Sequence, residues 1–215
     1  MNPLVLAGDL WHPAAVVREG LRGHGSFDWL EDGGKWNVDM LEGRPLVVLA
    51  KANQIHADDT RPWADEAAAL ALADFVKRGG GLLVVHAGTS GYRDLAEMRA
   101  LSGGGFVSHP PVCPVTVEPK AGHFLGAGAG AFTEPDEHYF MDFDPSGWDV
   151  FLTSRSDHGS QPAGWCRVHG GGRVVVITPG HEPAVWMHPD FQMLLGNCLA
   201  WVDPRRTAGG TASGA

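Results

Sequence analysis

The chain has 215 residues, 44% of them hydrophobic and 19% charged, a composition near the globular average that excludes a disordered polypeptide and suits one sizeable core. Its formal net charge is −9, and the 16 Lys and Arg are scattered, so the basic face that nucleic acid requires is missing. No apolar run approaches the roughly 20 residues of a membrane-spanning helix, so no membrane partner is expected.

The opening MNPLVLAGDLWHP has no basic n-region and enters directly a strand over Pro3 to Ala7, which points to a cytoplasmic protein. A helix is expected from Pro13 through Leu21, a weaker strand at Phe27 to Trp29, and a strong strand at Pro45 to Ala50. From Arg61, RPWADEAAALALADFVKRGGG reads as a helix with Pro62 near its start, acids in its first turns and Lys77-Arg78 before a glycine stop. Gly81 to His86 is a third apolar strand, and this alternation is the signature of parallel βαβ units. From about Val112 to Thr178 the pattern changes to short β runs separated by Gly and Pro, with a hairpin turn at His169-Gly-Gly-Gly-Arg173. Gly103 to Gly105 and Gly126 to Gly130 read as loop. Pro189 through Val202 is a closing helix, and residues 204–215 read as a disordered tail after a single domain over 1–203.

Ligands of open α/β sheets bind outside the carboxyl ends of the strands. Those ends carry Asp9 with His12, Asn53 with His56, His86, and His181 after RVVVITPG. The turn Val85-His86-Ala87-Gly88-Thr89 resembles a nucleophile elbow occupied by His or Ala. An amidotransferase mechanism needs a thiolate there, and Cys113, Cys166 and Cys198 lie elsewhere, without CxxC spacing, as reduced thiols. The first turn, GDLWHP, is not GxGxxG, and no GxxxxGK[ST] occurs, so no nucleotide cofactor is expected.

Four segments carry a family resemblance: GGGLLVVHAGT (79–89), SHPP (108–111), GHFLGAGAGAFTEPDEHYF (122–140) and GRVVVITPGHEPAVWMHPDFQMLLGNCLAWV (172–202). In them the chain resembles the ThuA-like (trehalose utilization) family, with Asp136, Glu137, Tyr139, Gly180, His181, Trp186 and Trp201 at its motif positions. It departs at His123-Phe124, where the family commonly has His-Pro. The resemblance implies a flavodoxin-like parallel sheet flanked by helices, similar to class I glutamine amidotransferases, with an added β-rich region. It also implies a link to disaccharide or keto-sugar catabolism without fixing a reaction.

Two functional readings follow. One is a sugar-modifying enzyme (isomerase, lyase or hydrolase) with His86, Glu137 and His181 as acid/base groups and His12, His109, Tyr139 and Trp186 around a small sugar ligand. In it, His12, His86, Glu137 and His181 are also a donor set suited to zinc or another divalent metal. The other is a carbohydrate-binding or regulatory module that kept the fold and lost the chemistry; either reading allows a homo-oligomer.

Overall fold

The computed structural model describes residues 1–207. Strands β1 (Leu4–Ala7), β2 (Asp28–Leu30), β3 (Leu46–Ala50) and β4 (Gly81–Val85) alternate with helices α1 (Ala14–Leu21) and α2 (Glu66–Lys77). Helix α3 (Ala96–Ser102) follows, then β5 (Gly104–Ser108), β6 (Cys113–Pro119), β7 (Phe132–Asp136), β8 (Phe140–Phe143), β9 (Asp149–Ser156), β10 (Gly159–His169) and β11 (Gly172–Ile177). Helices α4 (Pro183–Met187), α5 (Pro189–Val202) and α6 (Pro204–Thr207) complete the described chain.

The main sheet has nine strands in the order β2-β1-β3-β4-β11-β10-β9-β6-β7. The first five are parallel and the last four antiparallel, so the flavodoxin-like half and the added β-rich half are one continuous sheet. β5 and β8 pair separately as a two-stranded ribbon.

Strand periodicity accounts for the layers. Val5, Val48, Leu83, Val85, Val175 and Ile177 face α1, α4 and α5, while Leu6, Val47, Leu49, Leu82, Val84, Val174 and Val176 face α2 and α3. Parallel strands buried on both faces read as continuous apolar runs, as these do. Among the described residues, no helix is long and apolar enough to cross a membrane.

Several boundaries differ from the sequence reading. Helix α2 starts at Glu66, not Arg61, because the Asp65 carboxylate caps it by accepting the Ala68 N–H at 2.9 Å. The preceding Trp63 and Ala64 N–H groups go instead to Asn53 Oδ1 at 3.1 and 2.9 Å. Gly104 and Gly105 are strand, not loop: a Cβ on Gly104 would fall 2.1 Å from Asp142 O, so glycine lets β5 close on β8. β7 is hidden in the sequence by the turn-like composition of its FTEPD segment. The expected tail begins with an ordered turn, α6, because Asp203 accepts the Arg205 N–H at 3.0 Å across a proline suited to a helix start. Positions 208–215 lie outside the described residues.

Candidate metal centre

The carboxyl ends of β1, β4 and β11 present three histidines to one crevice. After β1, Gly8 (φ 88°) turns the chain and buries Asp9. Asp9 Oδ1 accepts the N–H groups of Trp11 and His12 at 3.0 and 3.1 Å and lies 2.8 Å from His12 Nδ1. Its other oxygen accepts the Ala52 N–H at 2.8 Å, tying the turn to the end of β3. The fully buried Lys51 amine donates to the carbonyls of Gly8 and Glu31, joining the ends of β1 and β2.

His86 ends β4 with φ 42°, the only non-glycine residue in the left-handed region among those described. That is the strained geometry of an elbow, with imidazole in place of a nucleophile. Gly88 permits it, since a Cβ there would lie 2.0 Å from Leu49 O. His86 Nδ1 lies 2.7 Å from the Thr178 carbonyl. After β11, the Asp136 carboxylate accepts the N–H groups of Gly180, His181 and Glu182 at 2.9, 2.9 and 3.2 Å. One buried aspartate thus pins the His181 loop beside Glu137.

Glu137 Oε2 lies 3.4 Å from His86 Nε2 and 3.3 Å from His181 Nδ1, while Oε1 lies 3.4 Å from His109 Nε2. The His12 ring centroid is 5.1 Å from those of both His86 and His181. One donor atom each from His12, His86, Glu137 and His181 all fall within 4.8 Å of one another. His12 Nε2, His86 Nε2 and His181 Nδ1 are buried without a hydrogen-bond partner.

The partners fix the tautomers. A carbonyl can only accept, so His86 carries its proton on Nδ1 and turns the Nε2 lone pair inward; the Asp9 carboxylate does the same for His12. Burial pushes the His86 pKa down against the pull of Glu137, which keeps the ring neutral. Burial raises the Glu137 carboxyl, but the facing imidazoles of His181 and His86 outweigh it and hold the group far below the usual range. Glu137 in turn raises His181. Neutral nitrogen lone pairs and a carboxylate converging without protons between them form a set of donors that a cation satisfies.

A second cluster, His123, Asp149 and Cys166, does not have this character. His123 Nδ1 accepts the Leu125 N–H at 3.1 Å, so the proton sits on Nε2 and points to Asp149 at 3.1 Å, leaving no lone pair for a metal. Burial pushes the Cys166 thiol up to about 12. The departing His123-Phe124 pair therefore belongs to this separate cluster.

The other expected residues divide. His109 reaches Glu137 from the exposed side, with Nδ1 2.8 Å from Pro110 O. Tyr139 is buried and stacks on His86 with centroids 4.0 Å apart, so it braces that ring. Trp186, 2% exposed, lies beneath the cluster and donates Nε1–H to Gly180 O at 2.8 Å, leaving no free wall for a sugar. Asn53 is structural: besides Trp63 and Ala64 it binds the carbonyls of Ala64 and Gly91. His56 is half exposed beside Asp58 and does not join the centre. Sequence reasoning gave Asp9 and Asp136 no role in the site; their side chains act on backbone N–H groups, which leaves no side-chain spacing to read.

The strand order, the elbow after β4 and the crevice at the strand ends define a protein of the class I amidotransferase-like fold carrying a histidine and carboxylate cluster where a thiol nucleophile would stand. The ThuA family model, described as trehalose utilisation, matches residues 11–202. The chain belongs to the ThuA family. No curated protein matches it by sequence. Its fold is similar to that of a protein described as ThuA-like from Parabacteroides merdae (TM-score 0.73, 18% identity, covering 99% of this chain and 92% of that one). A second, from Bacteroides uniformis, gives 0.70 at 18% identity, covering 94% and 91%. A Thermoplasma acidophilum protein described as a component of GMP synthase gives 0.64 at 11% identity and covers 97% of each chain, which shows the amidotransferase-like fold.

Proposed function

We propose that the chain binds one divalent metal, zinc by the nature of the donors, through His12, His86, Glu137 and His181, and acts there on a small carbohydrate derivative. The observation that carries this reading is the convergence of three buried, unpartnered imidazole nitrogens on one carboxylate. The carbohydrate part rests on the family, described as trehalose utilisation. Zinc in such a site polarises a carbonyl or acidifies a bound water. The chain's own groups then divide the work. Asp9 and the Thr178 carbonyl hold His12 and His86 in the ligating tautomer. Tyr139 keeps the His86 ring in place, and His109 stands on the open side of Glu137, where it can exchange a proton with a bound sugar.

Metal analysis of chelator-stripped protein titrated with Zn²⁺ tests this. The expected result is uptake of about one equivalent with a rise in thermal stability, both lost in His86→Ala and His181→Ala. Conversion of disaccharides and their oxidised derivatives by the loaded protein, followed by NMR, reads the chemistry. Absence of uptake and of any thermal shift removes the metal reading.

A further inference from the structure

Seven of the eight tryptophans use their rings within the fold. Trp29, Trp148 and Trp201 lie under the guanidinium groups of Arg18, Arg167 and Arg173. Trp36 packs on Trp63, which donates to Tyr92, while Trp165 and Trp186 donate to backbone carbonyls. Trp11 differs. Its side chain makes no hydrogen bond, ring contact or cation contact among the described residues, and it is 66% exposed. An unused indole held in water is unfavourable unless something covers it.

Its position is also rigid. Asp9 Oδ1 accepts the Trp11 N–H, and the Asp9 N–H donates to His12 O at 3.2 Å, so the turn is closed on both sides. The next residue is the inward-facing His12, one Cα step of about 3.8 Å away. Leu10, 44% exposed, donates its N–H to Gln54 Oε1 at 3.1 Å, and Glu31 packs against Gly8. Beside the turn runs a groove of about 630 Å³ whose lining includes Glu31, Asp32, Lys35 and His56. Pyranose rings bind by laying an apolar C–H face on an aromatic ring while nearby polar side chains take the hydroxyls. Indole and polar groove together supply both.

We propose that Trp11 is the stacking platform for a pyranose ring of the ligand held at the adjacent centre, a binding residue outside the motif positions. This rests on the carbohydrate reading above, but not on the identity of the metal. The test uses full-length zinc-titrated protein labelled with 5-fluorotryptophan, the Trp11 resonance being assigned by its loss in Trp11→Phe. Trehalose is the probe. Titration is expected to shift the Trp11 fluorine resonance selectively; Trp11→Ala should weaken trehalose binding about tenfold and Trp11→Phe by less than about threefold. A Trp11 resonance unmoved at saturating or tens-of-millimolar trehalose, or wild-type affinity in Trp11→Ala, overturns the proposal. Sedimentation of the same samples identifies the other occupant: a dimer lost in Trp11→Ala with trehalose binding unchanged makes the indole a contact between copies and also overturns it. Zinc uptake, measured separately, shows whether the centre itself has failed, so the two readings fall independently.

Discussion

At the scale of single residues, the centre depends on side chains that never touch a ligand. Asp9 fixes the His12 tautomer and accepts two N–H groups of its own turn. Asp9→Asn preserves shape but presents an amide that cannot hold the His12 proton as a carboxylate does. Zinc affinity is expected to fall about 10- to 100-fold in a competition titration, with the far-UV spectrum unchanged. Asp136 is different in kind, because three backbone donors converge on it. Asp136→Ala leaves them unsatisfied in a buried loop and should cost about 3 kcal/mol or more in a denaturant melt. His86 holds the elbow that glutaminases give to cysteine, and the thiols of Cys166 and Cys198 are buried, with pKa values raised by that burial. No ammonia release from glutamine is therefore expected in a coupled assay; release abolished by replacing any of the three cysteines would contradict this.

At the scale of elements, α1 and α4 meet where Gly20 faces Trp186. A Cβ on Gly20 would fall 2.3 Å from Trp186 Cε3, and the indole is held by its bond to Gly180 O. Gly20→Ala gains about 1 kcal/mol of helix propensity but overpacks a core by about 1–3 kcal/mol. The clash is expected to win. The variant should melt lower and, because Trp186 leads to Gly180 and the His181 loop, bind zinc more weakly; unchanged affinity would show that the loop is insulated from the helix. Much at this scale was legible in the sequence. The apolar runs of β1, β3, β4 and β11 and the α5 boundaries could be read from pattern because both faces of the sheet are covered and the helix caps are local. β7 and β5 were not, since FTEPD and GGFVS owe their strand state to partners distant in the chain. The same division holds for the centre. His12, His86 and His181 could be placed because each follows a recognisable strand, and Glu137 through its motif. The exposure of Trp11 and the burial of Trp186 depend on packing that periodicity does not carry.

At the scale of the whole molecule, the four donors come from widely separated points of the chain, residues 12, 86, 137 and 181, so an ion held by them binds the native fold and not the unfolded chain. Zinc at 100 times its dissociation constant should therefore stabilise the protein by about 2.7 kcal/mol, read as a rise in the denaturant midpoint with unchanged slope. A midpoint indifferent to zinc would mean that the native state holds no ion at this site. The outline of the sheet has a different consequence. One margin is β2, only three residues long, and the other is β7, which carries Pro135 and pairs with a β6 strand containing Pro114 and Pro119. A short margin offers few free amide and carbonyl groups, and proline offers no amide hydrogen, so neither side is a good template for adding a strand from a neighbouring molecule. The protein can carry a nine-stranded sheet at high concentration without growing it edge to edge, and any assembly it forms must be built from side chains.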